Sequence, residues 1–405
     1  MSQYFWPEEF RINDLALGLK ARGHEVVVLT GQPNYPKGKF FPGYGFLGPW
    51  REEYHGVNIL RVPLVPRDKK QPWRLALNYI SFAFFASILG PWYCRGKFDV
   101  IFVYEPSPVT VGLPGVVLKI IKRAPMMFWV QDLWPESLSA TGAVKAKWFL
   151  ELVGRFVRWI YRHSDIILVQ SKGFTDRTLA MGANSEKIKY LPNWAEELYR
   201  PVKAENDAPE RQHVPEGFVV MFAGNIGVAQ DFPTILAAAE ELAAHKDIHW
   251  VILGDGSERA LVEAEVKKRG LNESVHLLGR HPVGAMPRYF ALADVMLVSL
   301  TRDPIFALTI PGKVQSYLAC GRPIIAALDG EGARIVEDAG AGIACGAQNA
   351  STLAKAVLTM KRVTEREREE MGMRGRAYYE KYFERNVLIN QLELWMKELS
   401  KKPLR

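Results

Sequence analysis

Short apolar runs alternate with longer amphipathic stretches along the chain. The runs in the first half are EVVVLT, FDVIFVY, MMFWVQ, DIILVQS and IKYLPN, and those in the second half are FVVMFAG, HWVILGDG, VHLLG, DVMLVSL and PIIAAL. Nearly continuous apolar strands separated by helices are typical of parallel sheets that are covered on both faces. The pattern therefore predicts an α/β protein with two doubly wound, Rossmann-like domains.

A polar segment, 200–217, separates the two series of strands and carries three prolines. Polar stretches that contain proline are typical of linkers between domains. We predict an N-terminal domain over 1–199, a linker over 200–217 and a C-terminal domain over 218–380. A last helix within 381–405 is expected to pack back on the N-terminal domain.

The start of the chain predicts a short strand and a capped helix. A helix is expected from about Phe10 to Arg22, and Gly23 is a natural C-terminal cap. Only Ser2 to Phe5 precede the turn at Trp6-Pro7, although domains of this type open with a buried strand. We therefore expect a first strand that is very short or that begins several residues upstream.

The composition is that of a folded globular protein. Of the 405 residues, 48% are hydrophobic and 24% are charged, which excludes a disordered tail and a multi-span transporter. The three cysteines, Cys94, Cys320 and Cys345, are far apart and lack CxxC spacing, so we expect neither a disulfide framework nor a zinc site. Residues 1–10 show no basic and apolar regions of a secretory signal, so we expect the protein to stay inside the cell.

The excess positive charge lies in the first half. The net charge is +8: residues 1–200 hold 26 Lys and Arg against 17 Asp and Glu, whereas residues 201–405 hold 26 against 27. Nine of the eleven tryptophans also lie before residue 201. Basic charge combined with aromatic side chains is typical of a surface that binds an anionic partner, either lipid or nucleic acid.

Two segments of the first half are candidates for membrane contact. The apolar run from Arg74 to Arg95 is expected to form a helix that ends at Gly90-Pro91 after about 16 residues, short of the ~20 that span a bilayer. A second segment, 145–163, mixes basic and aromatic residues. Both favour a peripheral protein on an anionic leaflet, although core helices with solvated basic faces would show the same pattern. The residues predicted to face the membrane are Lys69, Lys70, Arg74, Trp92, Trp148 and Trp159.

Four glycine-containing loops of the second half join a predicted strand to a predicted helix. They are FAGNIGVAQDF, LGDGSER, LLGRHP and TIPGK. Ligands of open α/β sheets bind where strand carboxyl ends meet helix N-termini, and glycine lets the backbone approach them closely. In the last loop Pro311 and Gly312 open a helix and Lys313 adds a charge, which predicts that Lys313 holds a phosphate. A surface lysine near a helix cap is the alternative. None of these four loops has Walker A or GxGxxG spacing, which argues against an ATPase or a dinucleotide enzyme.

An ordered set of motifs resembles one known family. GHEVVVLTG with QPNYPKG, then WVQDLWPES, LPNW, AGNIGVAQ, LGDGSER, ADVMLVSL and PGKVQSYLACGRPI, are similar to motifs of the family 4 glycosyltransferases. The similarity covers nearly the whole chain, and it most resembles the L-fucosamine transferase-like branch of bacterial surface-polysaccharide enzymes. It implies the GT-B fold, in which two Rossmann-like doubly wound domains face each other across a cleft.

The resemblance implies a retaining glycosyltransferase that uses a nucleotide sugar, usually a UDP-sugar, with an N-acetylated deoxyhexosamine as a candidate sugar. The C-terminal domain would hold the donor. The N-terminal domain would hold the acceptor, expected to be a polyprenyl-diphosphate-linked saccharide at the cytoplasmic face of the bacterial inner membrane. No metal or other cofactor is implied, and no DxD motif stands at a predicted strand end. Basic side chains and helix N-termini would then neutralise the leaving diphosphate. The residues assigned to the donor are Gly224, Asn225, Gly227, Gln230, Gly254, Asp255, Gly256, Arg280, His281, Pro311, Gly312, Lys313, Gln315 and Ser316.

Two places depart from the family pattern. Many members carry two glutamates eight positions apart around the helix that begins near Pro311, where this chain has Leu308 and Ser316. The arginine and lysine common in the first loop of the C-terminal domain are replaced by Asn225 and Gln230. Sugar contacts usually credited to the glutamates would then come from other side chains or from backbone groups.

Polar side chains at strand ends of the N-terminal domain are candidates for the acceptor site. Gln131 and Asp132 follow the strand MMFWVQ, where many relatives have a histidine and an aspartate, so Asp132 is predicted to be a catalytic or orienting carboxylate. Its alternative role is to cap the next turn. In the family chemistry the leaving phosphate takes the acceptor proton, so no strong protein base is required. The remaining candidates are Gln131 and Glu8 as catalytic residues and Asn34, Tyr35, Glu105, Trp134 and Glu136 on the acceptor side; for the glutamates, solvated loop carboxylates are the alternative.

The residues leave other functions open. A non-hydrolysing UDP-sugar 2-epimerase shares the fold, but it would need acid and base carboxylates and no lipid-facing surface. A non-catalytic nucleotide-sugar-binding subunit is compatible with the missing glutamates. A nucleic-acid binder would carry its charge without two long apolar runs, so we expect no nucleic-acid partner.

Overall fold

The computed structural model describes residues 1–68, 71–140, 146–203, 205 and 207–401. The chain divides into two compact units, one formed by Met1–Leu191 with Leu388–Arg405 and the other by Pro192–Val387. Each unit is built on parallel β-strands with helices between them, which confirms the predicted α/β class.

The strands are short, and most of their residues are buried. In the described residues they are β1 (Val27–Gly31), β2 (Arg51–Tyr54), β3 (Val57–Val62), β4 (Ile101–Glu105), β5 (Met126–Val130), β6 (Ile166–Val169), β7 (Ile188–Tyr190), β8 (Phe218–Ala223), β9 (Ile248–Leu253), β10 (Val275–Gly279), β11 (Val295–Ser299), β12 (Ile324–Ala327) and β13 (Gly342–Cys345).

The helices follow the strands in the alternation that the sequence predicts. Among the described residues they are α1 (Arg11–Ala21), α2 (Pro72–Tyr93), α3 (Gly112–Lys122), α4 (Glu136–Ala140), α5 (Lys147–His163), α6 (Phe174–Ala180), α7 (Phe232–Glu241), α8 (Arg259–Lys268), α9 (Met286–Ala291), α10 (Pro304–Ala307), α11 (Gly312–Ala319), α12 (Glu331–Asp338), α13 (Ala350–Arg362), α14 (Glu365–Tyr382) and α15 (Arg385–Ser400).

The first unit contains two sets of strands. One has the order β1-β3-β2, with β2 antiparallel, and the other is the parallel set β4-β5-β6-β7. The first residues of the chain join them, because Ser2 donates its N–H to Leu29 O at 3.2 Å and Tyr104 donates to Met1 O at 2.9 Å. This extended segment takes the place of the expected short first strand. The loops that follow β1, β4 and β5 therefore lie at one edge of the sheet.

Helix α2 is longer than the sequence predicts. The expected end at Gly90-Pro91 is wrong, since the helix continues to Tyr93 and has 22 residues. Pro91 lies in the last turn, where its missing N–H removes one terminal hydrogen bond and leaves the rest of the helix intact. By length and composition alone the part Trp73–Tyr93 could cross a membrane, and 28% of it is buried within the unit. A core helix of a soluble protein can have the same length and composition, so these two features are weak evidence for a membrane span.

The second unit is a single six-stranded parallel sheet with the order β10-β9-β8-β11-β12-β13. Two clusters of buried apolar side chains cover its faces, one with Met221 and Val298 and the other with Phe222 and Leu297. Because side chains alternate along a strand, neighbours such as Met221 and Phe222 contribute to opposite faces. The loops after β8, β9 and β10 and the start of α11 therefore meet at the carboxyl edge of the sheet.

The segment predicted as a linker, 200–217, packs within the second unit. Its 3₁₀ helix Pro209–His213 carries Glu210, which is buried and forms an ion pair with Arg288 at 2.7 Å. Residues 192–199 also belong to this unit, since Gln315 donates its side-chain N–H to Asn193 O at 2.6 Å. The described residues of the predicted linker therefore make specific contacts within the second unit.

Helix α15 belongs mostly to the first unit, whose boundary lies at Leu388. Its Asn390 accepts hydrogen bonds from Arg22 at 3.2 and 3.3 Å, and its Glu393 lies 3.1 Å from His24. Arg22 and His24 flank Gly23, which has φ +87° and ends α1 as the sequence predicts. Helix α15 therefore packs against the C-terminal end of α1.

Candidate functional site

The loops at the carboxyl edge of the second sheet enclose a cavity of about 400 Å³. This volume lies in the range of small-molecule sites. Its lining contains eight of the residues that the sequence assigns to the donor. They are Gly224, Asn225, Gly254, Asp255, Arg280, His281, Lys313 and Ser316.

Lys313 is the basic group that lies deepest in this cavity. Its Nζ lies 4.3 Å from the centroid of the Phe222 ring, a cation–π contact. Burial lowers the pKa of Lys313 to about 8, and no carboxylate opposes this shift. Among the described residues the lysine forms no ion pair, so its charge is available to an anionic ligand.

Two glycines are required by the close packing around Lys313. A Cβ on Gly224, at φ +144°, would lie 2.5 Å from Cε of Lys313. A Cβ on Gly254, at φ +138°, would lie 1.8 Å from the carbonyl oxygen of Gly224. The two loops therefore approach each other backbone to backbone, and no larger residue fits without moving one of them.

Polar side chains hold the rims of the cavity. Asn225 donates its side-chain N–H to Gln230 Oε1 at 3.3 Å across the loop that contains Gly227. The Asp255 carboxylate accepts the N–H of Gly256 at 2.8 Å and lies 3.6 Å from Arg280. Gln230, Gly227 and Gly256 belong to the same loops but do not line the cavity.

The first turn of α11 places Lys313, whereas Gln315 faces away from the cavity. Pro311 is the N-cap and Gly312 the first helical residue, as predicted for the PGK sequence. Gln315 is fully buried, and its side-chain N–H bonds to Asn193 O, so it fastens the helix to residues 192–199. Ser316 donates to Gly312 O at 3.2 Å at the cavity wall.

Several lining residues are absent from the sequence-based set. They are Tyr199, Ala223, Leu253, Val283, Met286, Phe290 and Tyr317. Tyr317 exchanges hydrogen bonds with the backbone of Ala223 at 3.0 and 3.2 Å, which fixes the end of β8. Tyr199 stacks on Phe290 with centroids 5.9 Å apart and forms part of an apolar wall.

A buried tyrosine connects the cavity with the docked segment 200–217. Tyr289 is 2% exposed, and its hydroxyl lies 3.0 Å from His281 Nδ1 and 3.2 Å from His213 Nδ1. A hydroxyl can donate to one imidazole and accept from the other. Tyr289 therefore fixes the ring of His281 at the cavity wall.

In the first unit, two carboxylates meet at the ends of β4 and β5. Glu105 is fully buried, and its Oε2 lies 3.4 Å from the backbone N atoms of Gln131 and Asp132. Burial and the neighbouring Asp132 raise the pKa of Glu105 well above its usual range. Burial also raises the pKa of Asp132 to about 6. No described backbone amide donates to the Asp132 carboxylate, and α4 begins at Glu136, so the structure provides no capping role for Asp132.

A third carboxylate organises the loop after β1. Glu8 is buried, and its Oε1 accepts the N–H groups of Asn34 and Tyr35, each at 2.7 Å. Its Oε2 has no hydrogen-bond partner among the described residues. Burial raises the pKa of Glu8 to about 7, and the two backbone hydrogen bonds oppose this shift. Glu8 therefore positions the backbone of the predicted acceptor-side residues.

The other candidates of the first unit differ in exposure. Trp134 is buried, and Glu136 is the half-buried first residue of α4. Trp92 is 78% exposed and Trp148 70% exposed, whereas Trp159 is half-buried and stacks on Phe156 at 5.8 Å. Arg74 lies 3.7 Å from Asp68. Lys69 and Lys70 lie outside the described residues.

Comparison with known proteins identifies the family. Residues 9–194 match the model of the glycosyl transferase 4-like domain, and residues 217–362 match the model named glycosyl transferases group 1. The chain belongs to the glycosyltransferases. It is 26% identical over 312 residues to the putative colanic acid biosynthesis glycosyl transferase WcaI of Escherichia coli K12. This alignment covers 75% of each chain. The epimerase, the non-catalytic subunit and the nucleic-acid binder are thereby set aside.

Solved structures show that this glycosyltransferase has the GT-B fold. The structure of Anabaena HepE in complex with UDP superposes with a TM-score of 0.69 over 98% of both chains, at 14% identity. Sucrose-phosphate synthase from Thermosynechococcus elongatus superposes with a TM-score of 0.70 over 96% of this chain and 92% of that one, at 18% identity. In the described residues no three metal-ligating side chains form a group.

Proposed function

We propose that the protein transfers a sugar from a UDP-sugar to a polyprenyl-diphosphate-linked saccharide, with retention of anomeric configuration and without a metal ion. The reaction would extend a cell-surface polysaccharide at the cytoplasmic face of the bacterial inner membrane. The similarity to WcaI, named for colanic acid biosynthesis, supports this pathway class. Within it, the resemblance to the L-fucosamine transferase-like branch favours an N-acetylated deoxyhexosamine as the transferred sugar.

Lys313 is the observation that carries the donor assignment. In the part of the chain that the structure describes it is a basic side chain without an ion-pair partner, next to two glycine loops and at the start of a helix, and these features together favour a phosphate group. HepE, which has the same fold, has been solved with UDP and with UDP-glucose. In the proposal, Lys313 supplies the charge that a metal ion would supply to a leaving diphosphate elsewhere.

The proposed reaction breaks one bond of the donor and forms one bond to the acceptor. The bond between the anomeric carbon of the donor and the β-phosphate oxygen breaks, and the acceptor hydroxyl oxygen forms the new glycosidic bond on the same face. The hydroxyl proton passes to an oxygen of the departing diphosphate. Lys313 stabilises the negative charge of UDP. Asp132, whose pKa is about 6, is ionised at neutral pH and orients the acceptor sugar by accepting a hydrogen bond from a second, non-reacting hydroxyl.

An exposed apolar face of α2 supports a lipid-linked acceptor. Its side chains are between 41% and 78% exposed and recur every three or four positions, so they lie along one face of the helix. We call them the α2 stripe: Trp73, Leu77, Ile80, Phe84, Ile88 and Trp92. A continuous exposed apolar surface of this kind marks an interaction site, and the basic charge of residues 1–200 favours an anionic membrane as its partner.

Neighbouring helices extend this face. Trp148 and Leu152 are exposed on α5, and Ile120 and Ile121 are exposed at the end of α3. Helix α3 contacts both α2 and α5. Interfacial helices combine exposed apolar residues with Lys and Arg in this way. The proposal is therefore a peripheral protein whose first unit lies on the lipid surface.

A transfer assay tests the proposed reaction. The purified protein is incubated with single UDP-sugars and a polyprenyl-diphosphate-linked saccharide, with and without EDTA, and UDP release and the lipid product are quantified. We expect equal amounts of UDP and extended lipid, unchanged by EDTA, and the anomeric configuration of the donor in the product. Transfer that requires a divalent ion, or an inverted product, would contradict the proposal.

Vesicle flotation tests the membrane surface. The double variant Ile80→Ser, Ile88→Ser is compared with Leu261→Ser, Val387→Ser, which removes two exposed apolar side chains from the second unit. Because burial in lipid contributes about 1.5 to 3 kcal/mol for each large side chain, the first variant should float at least tenfold less. The control should float like the parent protein. Equal loss in both variants would contradict a surface on α2.

A further inference from the structure

A chain of hydrogen-bonded, buried amide side chains fixes the backbone of Arg67 in the first unit. Gln3 donates its side-chain N–H to Asn78 Oδ1 at 2.7 Å, and Asn78 donates to Asn34 Oδ1 at 3.3 Å. The same Asn34 oxygen accepts the backbone N–H of Arg67 at 3.0 Å. The three amide side chains are fully buried. Because buried hydrogen-bonded networks fix local geometry, the position of Arg67 is determined by the core.

The guanidinium of Arg67 is stacked but not neutralised. It lies 4.9 Å from the centroid of the Tyr35 ring, and Tyr35 is itself held by the Glu8 carboxylate through its backbone N–H. The Tyr35 ring packs against Tyr4 and Phe10, with centroids 5.7 and 5.2 Å apart. In the described parts of the chain, Arg67 forms no ion pair, and its buried Nε has no hydrogen-bond partner. Stacking on an aromatic face leaves the edge of a guanidinium free for bidentate contacts.

Arg67 lies close to the acceptor-side carboxylate. Both Arg67 and Asp132 act on the hydroxyl of Tyr79, which is hydrogen-bonded to Ser107. Burial raises the pKa of Tyr79, Arg67 opposes the shift and Asp132 adds to it. Asn78, the residue before Tyr79, donates to the same Asn34 oxygen that accepts the Arg67 backbone N–H. Ser107 and Asp132 each lie two residues beyond the paired strand ends Glu105 and Val130. Arg67 and Asp132 therefore both lie near Tyr79. Tyr79 belongs to α2, whose exposed stripe begins at Trp73, six positions after Arg67.

A lipid-linked acceptor has three chemically different parts: a saccharide hydroxyl, a diphosphate and a polyprenyl chain. The first unit carries a group suited to each of them, namely Asp132, Arg67 and the α2 stripe. Resting on the proposed function above, we propose that Arg67 binds the diphosphate of the acceptor through bidentate hydrogen bonds from its guanidinium.

The chemistry favours a diphosphate over a structural role. An arginine that serves only the fold is expected to pair with a carboxylate or with backbone carbonyls, as Arg61 does with Glu52 and with Gly31 O. The backbone of Arg67 is fixed by the core in the same way, but among the described residues its guanidinium has no carboxylate partner. A planar guanidinium matches two phosphate oxygens, and a ligand at its two Nη groups would neutralise the charge.

Calorimetry with farnesyl diphosphate tests this site. The protein is first saturated with UDP, so that the probe cannot occupy the cavity around Lys313. The variants are Arg67→Gln, which removes the charge, and Arg67→Lys, which keeps the charge but lacks the planar guanidinium that makes bidentate contacts. The control is Arg51→Gln, an exposed arginine of the same unit with the same change in net charge. Thermal unfolding of each variant reports whether it is folded.

We expect Arg67→Gln to weaken farnesyl diphosphate binding by about tenfold or more, the range for a hydrogen bond to a charged group. Arg67→Lys should weaken it by roughly threefold to tenfold, because the bidentate contact is lost. Arg51→Gln should bind like the parent, and UDP affinity should be the same in all four proteins. If Arg67→Gln does not fold, the lysine variant carries the test.

Other outcomes overturn the inference. Farnesyl diphosphate affinity that is unchanged in the folded Arg67 variants would show that the arginine does not bind the diphosphate. Inorganic pyrophosphate that binds as tightly as the farnesyl probe, or loss of binding to phosphatidylglycerol vesicles in Arg67→Gln, would assign the residue to free phosphate or to lipid headgroups. Absence of UDP binding in the parent protein would instead contradict the proposed function, and this outcome differs from the outcomes that contradict the role of Arg67.

Discussion

In the proposed donor cavity of the second unit two loops meet backbone to backbone beside one buried lysine, whereas the acceptor-side cluster of the first unit is built from buried carboxylates. In the cavity, the loops around Gly224 and Gly254 approach within van der Waals distance, and one lysine provides the unpaired charge. In the first unit, Glu8, Glu105 and Asp132 are carboxyls whose pKa values burial raises.

This difference follows from the ligands that the two sites are proposed to hold. A diphosphate is recognised well by N–H groups, helix N-termini and a cation, which any sheet of this type offers at its carboxyl edge. A saccharide hydroxyl must be placed to within a few tenths of an ångström, which requires side chains held by packing and by further hydrogen bonds. Donor binding should therefore be sensitive to backbone shape, and turnover to single carboxylates.

The largest effect is expected for Gly254→Ala. The new Cβ would lie 1.8 Å from the Gly224 carbonyl oxygen, and the residue would be held at φ +138°, so the two loops must separate. We expect UDP affinity to fall by about a hundredfold or more, with a lower unfolding temperature. Gly284→Ala is the control, since its Cβ would meet nothing within 4 Å. Titration calorimetry with UDP that showed equal affinity for both variants would contradict a role of the close Gly224–Gly254 backbone packing in UDP binding.

Asp132→Asn should have the next largest effect, and it should act on turnover alone. We expect kcat to fall at least tenfold while UDP affinity remains within a factor of two. In the parent protein kcat/KM should decline as the pH falls through about 6, because Asp132 becomes protonated.

Thermal unfolding separates this role from a structural one. The pKa of Asp132 is raised in the folded protein, so its ionisation above pH 6 destabilises the fold. The asparagine variant should therefore unfold at the same or a higher temperature at pH 7.5. A lower unfolding temperature together with normal turnover would mean that Asp132 is only a structural residue.

The smallest effect is expected for Tyr289→Phe. The change removes the hydroxyl shared by His281 and His213 but keeps the ring, so His281 loses its orientation and the docked 3₁₀ helix loses one contact. A neutral hydrogen bond contributes about 1 kcal/mol, so UDP affinity should fall by roughly threefold to fivefold. An unchanged UDP affinity would show that His281 does not contribute to the donor site.

The sequence predicts the cavity of the second unit better than the carboxylate cluster of the first unit. Each glycine-containing loop follows an apolar strand directly, so its place at the carboxyl edge follows from the alternation of strands and helices, and Lys313 follows from the PGK sequence. Tyr199 and Phe290 were not predicted, because they reach the cavity from residues 192–199 and from α9, and no local pattern records that packing.

In the first unit, the local patterns locate the carboxylates but not the network around them. Glu8, Glu105 and Asp132 stand at loops that the sequence marks, whereas the chain of amides from Gln3 to Arg67 depends on contacts between residues up to 75 positions apart. The length of α2 was also missed, because Gly90-Pro91 is a strong local signal for a helix end that tertiary packing overrides.

The central claim is that Lys313 neutralises the diphosphate of the donor, and UDP titration calorimetry of the parent and of Lys313→Ala between pH 7 and 9.5 tests it directly. We expect the alanine variant to bind about tenfold to 150-fold more weakly at pH 7, the range of 1.5 to 3 kcal/mol for a charged hydrogen bond. Parent affinity should fall as the pH rises through about 8, because the lysine loses its proton, and the variant should show no such fall. Equal affinity of the two proteins at pH 7, with the same dependence on pH, would contradict the account.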